Sequence, residues 1–471
     1  MVRLPPRVVV AGTGSGVGKT TVATGLMAAL AGSTRPGLRV AGAKVGPDFI
    51  DPGWHALATG RPGRNLDAFL CGPELLGPLA GHGVAGADVL VVEGVMGLFD
   101  GAAPPAPPEL ASTAQVAKLL DAPVLLVVDA AKVGRSVAAV VHGFATFDPD
   151  LRLAGVVANR VGSERHAAIV AEALEPLGIP LVGVLRRGAV PELPSRHMGL
   201  VTAREHGSGA AGAVDAIGRA VAEAVDLERV LALARSAPPV TVAPWSPEPA
   251  LEAALQPGRV TVAVAGGPAF TFTYAEHLEL LEAAGADVAW FDPATDARLP
   301  EGTAALYLPG GFPEVHGEAL SANEPLRAEV AAFAAAGGPV LAECGGLLYL
   351  CRTLDGRPMC GVLPADAAMR LRLTLGYRTA EAPASSVPFA AGARVRAHEF
   401  HHSQLTPGAG ATPAWTAQGP GDPAPEGFVA GSVHASYLHT HWAASPAVAS
   451  RLVAAARAAR NRKGPPVRVH Q

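Results

Sequence analysis

Lys19 and Thr20 close a run of small residues, Gly12, Thr13, Gly14, Ser15, Gly16, Val17 and Gly18, and a second threonine, Thr21, follows them. Small residues at that density let the backbone curl until several N–H groups point at one anion. The lysine would neutralise phosphate and the Thr20 hydroxyl would ligate magnesium, so the chemistry indicated is that of a nucleoside triphosphate. A second candidate is Cys344, in Ala342-Glu343-Cys344-Gly345-Gly346. A cysteine at a sharp turn between an apolar strand and a helix start, with small neighbours, is placed as a nucleophile, and the helix start is expected to lower its pKa. Such a thiol needs a base. The C-terminal quarter offers His398, His401, His402, His434, His439 and His441.

Both candidates need strands to carry them. Val8, Val9 and Val10 precede the phosphate loop as a strand, and Val22 to Leu30 follows it as an amphipathic helix. Gly12 and Gly18 enclose five residues instead of the usual four, and Thr13, Gly14 and Ser15 stand where a partitioning ATPase would carry a second lysine. A strand over 39–45 runs into Lys44-Val45-Gly46-Pro47-Asp48-Phe49-Ile50-Asp51-Pro52, and another over 88–93 ends at Glu93, with Asp100 shortly after. Carboxylates at such strand ends reach magnesium directly or through water; otherwise they cap helices or sit on solvated loops. Strands over 123–129, 153–157 and 180–185 alternate with helices over 135–147 and 163–177, which implies a mostly parallel sheet with ligands at the strands' carboxyl ends. Asn159, past one of these strands, could read a nucleotide base through its amide or serve as a turn residue.

The alternation restarts later, with strands over 260–265, 287–291 and 305–308, a helix over 275–284, and two glycines, Gly310 and Gly311, that free backbone N–H groups to face a pocket. The expected fold class is therefore α/β in two domains. The first spans 1–235 and is a P-loop parallel sheet with flanking helices, although 207–212 reads as a flexible stretch. A proline-rich linker covers 236–258, the second domain 259–460, and a disordered basic tail 461–471.

At 471 residues the chain exceeds what one hydrophobic core normally organises. A net charge of −4 gives no basic field for nucleic acid or for a membrane surface. The four cysteines show no Cys-x-x-Cys spacing, no apolar run approaches a membrane span, and the first residues lead directly into the nucleotide strand, so a cytoplasmic protein is expected.

Taken together, Gly12 to Thr21, Lys44 to Pro52, Arg196-His197-Met198-Gly199-Leu200, Pro309 to Glu314, Ala342 to Gly346, His398-Glu399-Phe400-His401 and Ala435-Ser436-Tyr437-Leu438-His439 resemble the cobyrinic and hydrogenobyrinic acid a,c-diamide synthases. The first half is similar to dethiobiotin-synthetase-like ATPases and the second to class I glutamine amidotransferases. That resemblance implies that Cys344 attacks the glutamine amide, that His439 handles the proton, and that backbone N–H groups around Gly311 and Gly345 hold the oxyanion. It further implies ATP as co-substrate, Mg2+ held by Thr20, Asp48 and Glu93, and charge stabilisation by Lys19 and Lys44. Asp51 and Asp100, with Lys44, would shape the side facing a corrinoid polycarboxylate, and Asn159 would meet adenine. The glutamate that usually follows the histidine by two positions is replaced by His441, so a Cys–His dyad is expected. The resemblance admits a homodimer. Two other readings stay open: a related amidase acting on cobyrate precursors or nickel sirohydrochlorin, and a nucleotide-switched binding protein with an inactive second domain.

Overall fold

The computed structural model describes residues 1–32, 37–104, 106–191, 195–196, 199–207, 209–251, 258–419 and 421–462. Two compact units emerge, Met1–Trp245 and Ser246–Gln471. In the first, seven strands lie in the order Arg64–Leu66, Val40–Val45, Val89–Glu93, Arg7–Gly12, Val124–Asp129, Leu153–Val161 and Leu181–Arg186. Every pairing is parallel. The phosphate-loop strand is central, and Val8, Val9 and Val10 are at most 1% exposed. Burial on both faces explains why they read as a continuous apolar run, each valine contributing about 1.5–3 kcal/mol.

Two expectations change in this unit. The stretch 207–212 is not a loose connection, because a helix begins at Gly209 and runs to Ala224. Its apolar face, Val214, Ile217 and Val221, packs where Gly25 of the phosphate helix Lys19–Ala31 leaves room, and a Cβ at Gly25 would stand 2.4 Å from the Val221 side chain. The unit also extends into the proline-rich segment. Thr241–Val242 pairs with Val2–Arg3, the buried Arg7 guanidinium donates to the Pro238 carbonyl at 2.7 Å, and Trp245 N–H reaches the Pro78 carbonyl. Residues 252–257 lie outside the described residues, as do His197 and Met198 of the segment 196–200.

In the second unit a sheet runs Ala286–Phe291, Val260–Ala265, Thr303–Leu308, Val340–Glu343, Val433–Ser436, Phe428–Ala430. All neighbours are parallel except the last pair. A second sheet, unannounced by the alternating pattern, is built on the long antiparallel strands Asp366–Glu381 and Arg394–Thr406, and the short strand His439–Thr440 joins its edge. The closing helix spans Ala447–Arg462, so Asn461 and Arg462 are helical. Residues 463–471 lie outside the described residues. No described helix is long and apolar enough to cross a membrane.

Candidate functional site

At the phosphate loop, Gly16 and Gly18 adopt φ of 73° and 100°, left-handed values at which a side chain is strained. Lys19 turns back onto the loop and donates from Nζ to the Gly14 carbonyl at 2.8 Å. Burial, and then the nearby Lys44, lower its pKa to about 8. An arriving phosphate would restore a full positive charge there. Asn159 lies inside its strand, where its amide donates to the Val17 carbonyl at 2.8 Å and braces the loop. Thr13 is tied to Val127 through the backbone, and Ser15 and Gly16 are exposed.

Register brings the charged residues together. Glu93 pairs with Val10 on one side and Lys44 on the other, so three strand ends converge beside the loop. Lys44 Nζ stands 2.6 Å from Asp51 Oδ2 and 2.8 Å from Glu93 Oε1, and the Thr20 hydroxyl donates to Glu93 Oε1 at 2.6 Å. His55, which the sequence reading did not single out, closes on Glu93 Oε2 at 2.6 Å. Its signal was available: Asp51 and His55 are i, i+4 on the helix Asp51–Thr59 and so share a face. Burial would raise the Glu93 pKa, but Lys44 and His55 outweigh it and hold the carboxyl below the usual range. Burial, together with Asp48 and Glu93, pushes Asp51 up against the pull of Lys44. Burial works against charge on Lys44 as well, and its carboxylate neighbours Asp51, Glu93 and Asp48 keep it firmly protonated.

Asp48 lends its charge to this centre but is held by backbone N–H groups. Its Oδ1 accepts from the Ile50 and Asp51 N–H groups, both at 2.8 Å, so this carboxylate caps the helix start, and Asp51 is the aspartate near Thr20, at 3.4 Å. Asp100 accepts from Gly97 N–H, and the adjoining Leu98 N–H binds the Gly12 carbonyl, which ties that loop to the phosphate loop. Among the described residues no three His, Cys, Asp or Glu side chains form a self-sufficient metal cage. A hydroxyl and two carboxylates beside a phosphate loop do fit magnesium, which takes few protein ligands and completes its shell with phosphate oxygens and water.

In the second unit Cys344 ends the strand Val340–Glu343 with φ 45° and ψ −98°, a strained conformation for a residue with a side chain. Its N–H is held by the Ser436 carbonyl at 2.7 Å. The glycines that follow permit close backbone approach: a Cβ at Gly346 would lie 2.0 Å from the Leu308 carbonyl oxygen, and one at Gly345 would lie 2.9 Å from Gly311 N. Gly311 is itself pressed on the Ala269 carbonyl. The turn thus brings the Gly311 and Gly345 backbones against each other beside the thiol. Across from it, the Phe400 carbonyl lies 3.9 Å from Sγ.

The expected lowering of the thiol pKa is reversed. Burial pushes the Cys344 thiol well above its ordinary value, and the nearby Glu314 adds to this. The helix that follows has only six residues, and the lowering by the hydrogen bond with the Gly345 backbone does not offset the desolvation. Burial, reinforced by His398 and His401, lowers the His439 pKa to about 3. Both resting groups are therefore neutral. His439 lies against Gly310, where a Cβ would stand 2.4 Å from its Cε1, so Gly310 joins the glycines the site requires.

Of the other histidines, His398 and His401 lie near His439, and His434 and His441 are held by other partners. His434 packs between Phe389 and Trp415. His401 stacks on Tyr437 at 3.6 Å, with Nδ1 near the Ser403 carbonyl and Nε2 3.0 Å from Glu399. His441 stacks on Tyr274, with Nε2 3.6 Å from Glu276. His398 pairs in register with His439.

Residues 8–201 match the family described as the CobQ/CobB/MinD/ParA nucleotide binding domain, and residues 261–447 match the CobB/CobQ-like glutamine amidotransferase domain. A hydrogenobyrinate a,c-diamide synthase of Streptomyces coelicolor is 57% identical, with 95% of this chain and 97% of that protein covered. The chain belongs to the a,c-diamide synthase family. A hydrogenobyrinate a,c-diamide synthase of Mycobacterium bovis is 53% identical over 95% of this chain and 97% of its own. A cobyrinate a,c-diamide synthase of Syntrophotalea carbinolica is 44% identical over 95% and 98%. Family membership makes this an enzyme, a glutamine-dependent ligase with a nucleotide-binding half, and the reading as a binding protein with an inactive second domain falls away.

Proposed function

We propose that the chain converts the a and c acetate carboxylates of hydrogenobyrinate, or of its cobalt-containing counterpart cobyrinate, to amides at the expense of ATP and glutamine. The carrying observation is that 57% identity to a protein of that named activity extends over 95% of the chain, through both halves. Its compartment would be the cytoplasm, in keeping with four cysteines that form no disulfide.

The second unit would supply ammonia. Cys344 Sγ attacks the side-chain carbonyl carbon of glutamine as His439 takes the thiol proton. Because both groups start neutral, the proton moves with the attack and no thiolate is stored beforehand. Backbone N–H groups at Gly311 and Gly345 would receive the oxyanion. His439 returns the proton to the leaving nitrogen, ammonia departs, and water hydrolyses the thioester to glutamate.

In the first unit a substrate carboxylate oxygen would attack the γ-phosphorus of ATP, and ADP would leave. Ammonia then attacks the acyl phosphate and phosphate departs, a better leaving group than hydroxide. The residues 12–18, with Thr21 at the helix start, would cradle the phosphates, and Lys19 would neutralise charge on the transferring group. Mg2+, held through Thr20 and Glu93 with Asp51 closer than Asp48, would supply charge neutralisation at the phosphates. Lys44 holds Asp51 and Glu93 in place for that role. Asn159, on its strand beside the phosphate loop, would meet adenine, and Asp100 would face the corrinoid.

Mass spectrometry of hydrogenobyrinic and cobyrinic acids after incubation with enzyme, ATP, magnesium and glutamine tests this reading. Two successive acid-to-amide conversions are expected. Consumption of ATP and glutamine with neither macrocycle changed would overturn the substrate assignment.

A further inference from the structure

Glu343 precedes the nucleophile and is 4% exposed, yet the reaction described above gives it no task. Its Oε2 accepts from the Tyr307 hydroxyl at 3.0 Å, and its Oε1 accepts from the Thr440 N–H at 3.3 Å and the Thr440 hydroxyl at 3.2 Å. Tyr307 lies on the strand Thr303–Leu308, which leads into Gly310 and Gly311. Thr440 directly follows His439. One carboxyl therefore joins the nucleophile's strand to the strand of the glycine turn and to the strand of the base.

The support extends one layer further. Trp442 N–H donates to His277 Nε2 at 3.2 Å, and His277 Nδ1 lies 3.0 Å from the oxygen of Tyr307, whose hydroxyl donates to Glu343. Three donors meet this carboxyl, the pattern that suits its ionised form.

We propose that Glu343 is a positioning residue of the glutaminase reaction: by holding Thr440 and Tyr307 it fixes His439 and the Gly310–Gly311 turn relative to Cys344. It does the orienting work that a third residue bonded to the histidine performs in other triads, but acts through the neighbouring backbone. Burial pushes the Glu343 carboxyl up to about 7 against the lowering by its hydrogen bonds from Thr440 and Tyr307. The inference rests on reading Cys344 and His439 as the glutaminase pair.

Steady-state glutamine hydrolysis by the full chain, beside ammonia-supported amidation, tests it with Glu343→Leu, Glu343→Gln and Tyr307→Phe. Misplacement of a catalytic group by about 1 Å costs about 100-fold, so Glu343→Leu should lose about that in kcat while KM for glutamine moves less than about 3-fold. Glu343→Gln keeps an acceptor for Thr440 and should retain all but about 5-fold. Tyr307→Phe keeps the packed ring and should lose about 5-fold in kcat. Ammonia-supported amidation should hold in all three. Wild-type kcat in Glu343→Leu, a glutamine variant as impaired as the leucine one, or a parallel loss of ammonia-supported amidation would overturn the proposal. Should Glu343→Leu not fold, Tyr307→Phe decides, and an unchanged kcat there overturns it. A Cys344→Ala enzyme that still hydrolyses glutamine would instead refute the reading of the pair.

Discussion

The cluster around Glu93 and the turn at Cys344 are both buried, yet the reactive groups of the first are charged and the thiol and imidazole of the second are neutral. At the first, Lys44 lies within 2.8 Å of two carboxylates, and His55 and Thr20 satisfy more of their lone pairs. At the second, Glu314, Glu399 and Glu343 lie near the thiol, Glu399 is already paired with Arg378 at 2.8 Å, and burial drives both thiol and imidazole to their uncharged forms. Burial alone does not set protonation; counter-charge within hydrogen-bond reach does. On the proposed roles, the phosphate site would be built with paired charge, whereas the thioester-forming site would begin with neutral partners and move one proton.

Removing the sulfur is the severest test of the contrast. Cys344→Ala should abolish glutamine hydrolysis, by at least about 10^4-fold, while ammonia-supported amidation continues in the other unit. Next comes the buried ion cluster. Lys44→Met leaves two carboxylates uncompensated and should destabilise the first unit by about 3–5 kcal/mol, read from its denaturant midpoint, with loss of ATP turnover. Lys44→Met/Glu93→Gln should recover part of the stability but none of the turnover.

The protonation states make a third prediction. With His439 titrating at about 3, its imidazole is neutral at every working pH, and the thiol, raised by burial, stays protonated through neutrality. Thiolate absorbance, taken as wild type minus Cys344→Ala, should be absent from pH 5 to 8 in the resting enzyme. A plateau across that range would show an ion pair and dissolve the contrast. Among the smaller effects, Asn159→Ala removes the brace on Val17 and should raise KM for ATP about 5-fold, roughly the worth of one hydrogen bond.

The strands and motifs were legible because parallel strands buried on both faces write unbroken apolar runs, and because glycine spacing betrays backbone approach. Gly12 to Thr20, Cys344 and Gly311 fall where their neighbours announced them. What the sequence hid depends on register and on long-range pairing. The adjacency of Lys44 and Glu93 follows only once their strands are side by side, and Asp48 and Asp51 look alike until one caps a helix and the other turns toward Thr20. The thiol was misjudged for a related reason: a helix start was visible in sequence, but the depth of burial and the nearby Glu314 were not. Glu343 escaped because its partners, Tyr307 and Thr440, lie 36 and 97 residues away.

The most direct test of the central claim follows the nitrogen. Hydrogenobyrinate would be incubated with ATP, magnesium, glutamine carrying heavy nitrogen in its side-chain amide, and unlabelled ammonia, using wild-type enzyme and Cys344→Ala. At low ammonia the wild type should place heavy nitrogen in both new amides, and at high ammonia Cys344→Ala should place only light nitrogen there. Heavy nitrogen in the product of the variant, or only light nitrogen in that of the wild type, would contradict transfer from Cys344 to an ATP-activated carboxylate.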